Sequence, residues 1–150
     1  MTSVTLMRRI AARPSIVFDA LTTADGVAAW WGPAELPVIL AETDPRLGGA
    51  FRVRFHTLDG AEHESSGEFL EFDPPRRVVM SWRWSHGGEP EELGRTSRVE
   101  IDVAPVNGGV ELTFTHAELA NAMSAASHEG GWSGAFDKLV RQLGELQPVD

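Results

Sequence analysis

The chain contains no cysteine and no tyrosine. The first absence excludes a disulfide framework, thiol chemistry and any zinc site built on thiolate. The second, beside five tryptophans and seven phenylalanines, points to apolar walls with few hydroxyl handles. Positive charge is scarce too: 13 Lys and Arg against 22 Asp and Glu leave a net charge of −9. Nucleic acid and anionic membrane surfaces call for a basic face, so neither is expected as a partner. No apolar run approaches the roughly 18 residues of a membrane span. Met1 to Ile10 alternates polar and apolar residues instead of forming the apolar core of a secretory signal. A soluble cytoplasmic protein without membrane insertion is the expectation. The histidines His56, His63, His86, His116 and His128 show no paired ligand spacing such as HxxxH, so no metal is expected. No glycine-rich phosphate loop and no GxSxG is present, so no cofactor is expected and no catalytic residue is assigned.

What is present is 150 residues with 42% hydrophobic content, enough for one domain over residues 1–150. The strongest pattern lies near the C-terminus. Trp132, Phe136, Leu139, Val140, Leu143 and Leu146 fall on one face of an α-helix over 130–146, with Ser133, Asp137, Lys138, Arg141, Gln142 and Glu145 opposite. Burying the six apolar side chains would contribute roughly 9–18 kcal/mol gross. Gly130, Gly131 and Gly134 together weaken the first turns by about 3 kcal/mol relative to alanine. The expectation is a helix held firmly over Phe136 to Leu146 and loosely where Trp132 enters, with Trp132 gating whatever lies beneath.

The remainder reads mostly as strand. Ser3 to Ala11 is a first strand. Pro14 opens a short helix with Val17, Phe18 and Leu21 on its apolar face, and Thr22 or Thr23 caps a second one that runs into Trp30-Trp31 and stops at Gly32-Pro33. Strand-like runs follow over Leu36 to Glu42, Ala50 to Thr57, His63 to Phe72, Arg77 to Trp84, Ser97 to Val103 and Val110 to His116. Turn residues such as Asp59-Gly60, Pro74-Pro75 and Asn107-Gly108-Gly109 separate them. Between Glu64 and Phe72 the faces are ambiguous, because Phe69 alternates against Leu70 and Phe72. Glu62, Glu64, Glu68 and Glu71 read mostly as solvent-facing, and Glu89, Glu91 and Glu92 as a solvated loop. A mainly antiparallel sheet with one apolar face needs a cover, and the C-terminal helix is the long one available. The predicted fold is therefore α+β: a helix-grip in which a curved antiparallel sheet of about seven strands carries two short helices and holds the long helix on its concave face.

Four stretches carry a family resemblance: Trp30-Trp31-Gly32-Pro33; Asp44-Pro45-Arg46-Leu47-Gly48-Gly49-Ala50-Phe51; Gly67 to Asp73-Pro74-Pro75 with Arg77 to Trp82; and Leu112-Thr113-Phe114-Thr115-His116 followed by Gly131-Trp132. In that order they resemble the START-like, or SRPBCC, superfamily, and more narrowly the family of the heat-shock chaperone ATPase activator's C-terminal domain, the AHSA type. The resemblance implies a helix-grip with a space between sheet and helix. Its members include chaperone co-factors, ligand carriers and cyclases, and stress-response roles are among those it allows.

Three functions follow as expectations, in descending order. The first is binding of a small, largely apolar molecule between sheet and helix, with Trp31, Phe55, Met80, Trp82, Trp84, Phe114, His116, Trp132 and Phe136 as the ligand-binding set. The second is a protein-interaction module, as the chaperone resemblance implies. The third is a cyclase- or hydrolase-type enzyme using the same space, with His116 as its acid or base. Oligomeric state stays open between monomer and homodimer.

Overall fold

In a computed structural model, described for residues 2–32, 38–57, 59–88 and 90–146, the chain runs through strand β1 (Thr2–Ile10), helices α1 (Pro14–Thr22) and α2 (Ala24–Trp30), strands β2 (Leu40–Thr43), β3 (Ala50–His56), β4 (Glu62–Asp73) and β5 (Arg77–His86), a 3-10 turn (Pro90–Glu92), strands β6 (Ser97–Val106) and β7 (Gly109–Leu119), and helix α3 (Ala122–Leu143). The described strands form one seven-stranded sheet in the order β1-β7-β6-β5-β4-β3-β2. Every pairing is antiparallel. The α+β architecture with a long C-terminal helix is thus as the sequence predicts. The opening residues of the predicted Leu36 to Glu42 strand, together with Pro33, lie outside the described residues. No described helix is long and apolar enough to cross a membrane.

Period-two alternation decides which face is inward. Val99, Ile101 and Val103 of β6 and Val110, Leu112 and Phe114 of β7 are buried, as are Val78, Met80 and Trp82 of β5. The ambiguity in β4 is settled by a bulge. Phe69 pairs with Met80 but Glu71 with Val79 and Phe72 with Val78, so Leu70 is the extra residue. The inserted residue brings both Phe69 and Phe72 to the inner face, where their rings meet at 5.4 Å. Leu70 is left exposed. Close by, Gly67 has no room for a side chain: a Cβ there would stand 1.9 Å from the Ser81 carbonyl oxygen.

The short helices close one end of the layer. Pro14 sits in the first turn of α1, and the Thr23 hydroxyl accepts from Gly26 N–H to start α2. Trp30 at the end of α2 is buried, and its indole N–H donates to the Ala20 carbonyl at 2.7 Å.

Helix α3 departs from the sequence expectation at both ends. It starts eight residues before Gly130, where the Asn121 side chain accepts from Ser124 N–H at 2.9 Å, and continues through all three glycines. The run Ala122 to Ser127 is rich in alanine, the strongest helix former, and supplies the turns that the glycines weaken. The helix stops at Leu143, with Gly144 in a positive-φ conformation beyond it. Leu146 is therefore not a helical residue; its N–H reaches the Arg9 carbonyl as the chain pairs beside Ile10. Lys138, expected on the solvent side, is buried, with its ammonium 3.4 Å from the Trp31 carbonyl. Trp132 sits in the middle of the helix and in the core, not at a loose start.

Candidate functional site

Between the first half of α3 and the ends of β3, β4 and β5 the packing leaves a cavity of about 130 Å³. The sheet contributes Phe55, Thr57, His63, Trp82 and Trp84. The end of α2 gives Trp31 and Gly32, and α3 gives Ser127, His128, Gly131, Trp132 and Ala135. Its origin is a mismatch of volumes. The sheet side carries large rings, while α3 faces them with a small residue at every fourth position: Ser127, Gly131 and Ala135. Trp31 stacks on Trp82 at 5.5 Å, Trp82 meets Trp84 edge-on at 5.6 Å and Trp132 at 5.1 Å, so the walls brace one another.

Behind the cavity lies a buried polar relay. Trp132 Nε1–H can only donate, so His116 accepts on Nδ1 at 3.1 Å and carries its proton on Nε2. That proton faces the Ser97 hydroxyl at 2.7 Å, and Ser97 in turn donates to the Trp82 carbonyl. Each side-chain polar group of this Trp132–His116–Ser97 relay is satisfied. His116 is fully buried, and burial, reinforced by the neighbouring His128, holds its pKa well below the ordinary imidazole value. Both ring nitrogens are engaged inside the core.

His128 differs. Its Nδ1 lies 2.8 Å from the Ser124 carbonyl, an acceptor only, so Nδ1 bears the proton and the neutral ring keeps a lone pair on Nε2. That Nε2 is buried and has no partner. The residue's position is fixed from behind. The Glu92 carboxylate accepts from the Ser124 hydroxyl and, at 2.8 Å, from Ala120 N–H, and Arg95 stands 3.8 Å from its other oxygen. Glu92 is only 3% exposed, so the solvated loop read from the sequence is corrected at this residue. Its charge satisfies donors at the positive end of α3. Glu92→Ala leaves those donors without their acceptor and is expected to cost about 1–3 kcal/mol in urea denaturation. A loss no larger than that of an exposed carboxylate would contradict this role.

The mouth is tied by a second histidine. His63 Nδ1 accepts from Gly88 N–H at 2.8 Å, its Nε2 faces the Thr57 hydroxyl at 3.3 Å, and Thr57 donates to Asp59. The Asp59 carboxyl is held below its usual pKa by the Thr57 hydroxyl and then by Ala61 N–H. Glu64, one residue along from His63, is buried, contrary to the solvent-facing expectation. Its pKa is lowered first by the Ser85 hydroxyl at 2.6 Å and then by Arg54.

A family model described as "Activator of Hsp90 ATPase homolog 1-like protein" matches residues 11–144. The chain belongs to the AHSA1 family. Among solved structures, it is similar to the AHSA1 protein of Silicibacter pomeroyi, at 27% identity and a TM-score of 0.80, covering 95% of this chain and 97% of that one. It is also similar to a Rhodobacter sphaeroides protein (24% identity, TM-score 0.79, 95% and 92% covered) and to CalU16 of Micromonospora echinospora (26%, 0.68, 91% and 73%). No curated protein matches the chain.

Within this AHSA1 domain, the residues singled out from sequence divide into two groups. Trp31, Phe55, Trp82, Trp84 and Trp132 line the cavity. Met80, Phe114, His116 and Phe136 do not: they are packed one layer deeper, with Phe114 4.7 Å from Trp132 and 5.0 Å from Phe136. His63 and His128, which the search for paired ligand spacing passed over, do line it. The signal for His128 was its place four residues before Trp132, on the same helical stripe as Ser124 and Ala135. Starting the helix at Gly130 hid that stripe.

Proposed function

We propose that this AHSA1-family chain binds a small, largely apolar molecule in the cavity between α3 and β3–β5. The observation that supports the reading is the cavity itself: about 130 Å³ walled by Trp31, Phe55, Trp82, Trp84 and Trp132. An apolar cavity of roughly 150 Å³ takes up a benzene-sized guest. The occupant is therefore a single ring or something of equal bulk, below the roughly 300–1,000 Å³ of drug-sized pockets.

A panel of fluorinated single-ring compounds, read by fluorine NMR and thermal melting, tests this. Binding should broaden the ligand signal and raise the melting temperature with ligand concentration, as any ligand selective for the folded state does. Ala135, buried on the cavity wall, supplies the control: Ala135→Leu fills the space and should abolish both effects while the protein stays folded. If no single-ring compound binds the wild type, or if Ala135→Leu binds equally well, the cavity is not a ligand site.

A further inference from the structure

Five buried side-chain polar atoms of the described residues lack any hydrogen-bond partner, and three of them, Trp82 Nε1, Trp84 Nε1 and His128 Nε2, belong to residues that line the cavity. The three residues are neighbours, since the Trp84 ring lies 5.6 Å from that of Trp82 and 5.7 Å from that of His128. The contrast with the adjoining core is sharp. There, the Trp132 and His116 nitrogens and the Ser97 hydroxyl form a closed chain. Here, on residues that line a cavity, three polar atoms go unanswered. Buried groups of this kind normally have partners in folded proteins, from protein or from ordered water, and a ligand that enters such a site must supply the same bonds.

The unpaired set has a definite composition. The two indole nitrogens are donors and cannot accept. His128 presents an acceptor, because its Nδ1 proton is committed to the Ser124 carbonyl and Ser124 is itself held by Glu92. Two donors and one acceptor match a hydroxyl group, whose oxygen has one proton to give and two lone pairs to fill. A bare hydrocarbon ring answers none of the three. A carboxylate answers the indoles but sets its lone pairs against that of His128. Resting on the reading of the cavity as a ligand site, we infer that its occupant is a hydroxylated single ring, a phenol, donating to His128 Nε2 and accepting from Trp82 and Trp84.

The test compares 4-fluorophenol, 4-fluorotoluene and benzoate against the isotopically labelled full chain. The readouts are dissociation constants and the five tryptophan indole N–H signals, with those of Trp82 and Trp84 assigned through Trp82→Phe and Trp84→Phe. The phenol should bind at least ~10-fold more tightly than the toluene, the worth of one to two net hydrogen bonds. It should move the Trp82 and Trp84 indole signals well beyond those of Trp30 and Trp132, which already have protein acceptors. His128→Phe should remove most of that preference while leaving 4-fluorotoluene within about twofold of wild type. Equal binding of phenol and toluene with unmoved indole signals overturns the hydroxyl while leaving an apolar site standing. Tighter binding of benzoate overturns it in favour of an anion. Failure of all three compounds removes the cavity as a site altogether. The wild-type indole signals keep the question decidable should His128→Phe not fold.

Discussion

Trp132→Ala should cost about 3–5 kcal/mol in urea denaturation, the range for removing a large aromatic from a core. The indole touches every layer around it: Phe114 at 4.7 Å, Trp82 at 5.1 Å, Trp31 at 5.2 Å and Phe136 at 5.9 Å. Its N–H also closes the His116 relay, so truncation leaves a buried imidazole nitrogen without its donor. Leu143→Ala, at a half-buried position in the last turn of α3, should cost less than ~2 kcal/mol, the bottom of the range for buried leucines. This reverses the division of labour expected from the sequence, in which Leu143 anchors and Trp132 gates. Trp132→Phe separates packing from hydrogen bonding, and should keep most of the packing while losing about 1–3 kcal/mol for the buried imidazole nitrogen left without its donor. Equal losses from Trp132→Ala and Leu143→Ala would place the anchor elsewhere.

The second large effect is in pH. His116 is held neutral by burial and by the nearby His128, so its folded pKa lies well below that of the unfolded chain. Below about pH 6.5 the unfolded state takes up a proton that the folded state refuses. Stability is therefore fully present above that pH, and falls by ~1.4 kcal/mol per unit as the pH drops toward the folded pKa. The lowered carboxyls of Glu64 and Asp59 act later, because their stabilisation is complete above about pH 4.5 and fades as the pH falls through their folded values. Urea midpoints at about pH 7, 6 and 5 isolate the histidine window. His116→Gln keeps an acceptor for Trp132 but cannot titrate, so it should lower stability at pH 7 and flatten the slope. An unchanged slope would assign the acid sensitivity to another group.

Much of the fold was legible because the sheet writes itself in alternation. Val99, Ile101 and Val103 or Val110, Leu112 and Phe114 need only period-two counting. Two features were not. The bulge at Leu70 is a property of pairing with β5, and no local pattern within β4 announces it. The true start of α3 was masked by Gly130-Gly131, which reads as a break; packing of Trp132 against the sheet and the Asn121 cap override that local preference. For the candidate site, the large rings were found because aromatics on an inward strand face must converge on the covering helix. The small residues and the histidines that complete the wall were missed, since glycine, alanine and serine carry no apolar signal. Glu92 was misread for a related reason. A carboxylate's burial depends on which donors the fold brings to it, here Ala120 and Ser124, some thirty residues away in sequence.

The alternation of large and small residues along α3 also separates two properties that most pockets tie together. Trp132, Phe136 and Leu139 hold the helix to the sheet, while Gly131 and Ala135, each one position earlier, face the empty space. Adding or removing a methyl at those two positions alters the room available without touching an anchor. In a lineage, the size of the cavity can therefore drift while the scaffold stays constant. The cost of each step is that of filling a hole, not of rebuilding a core.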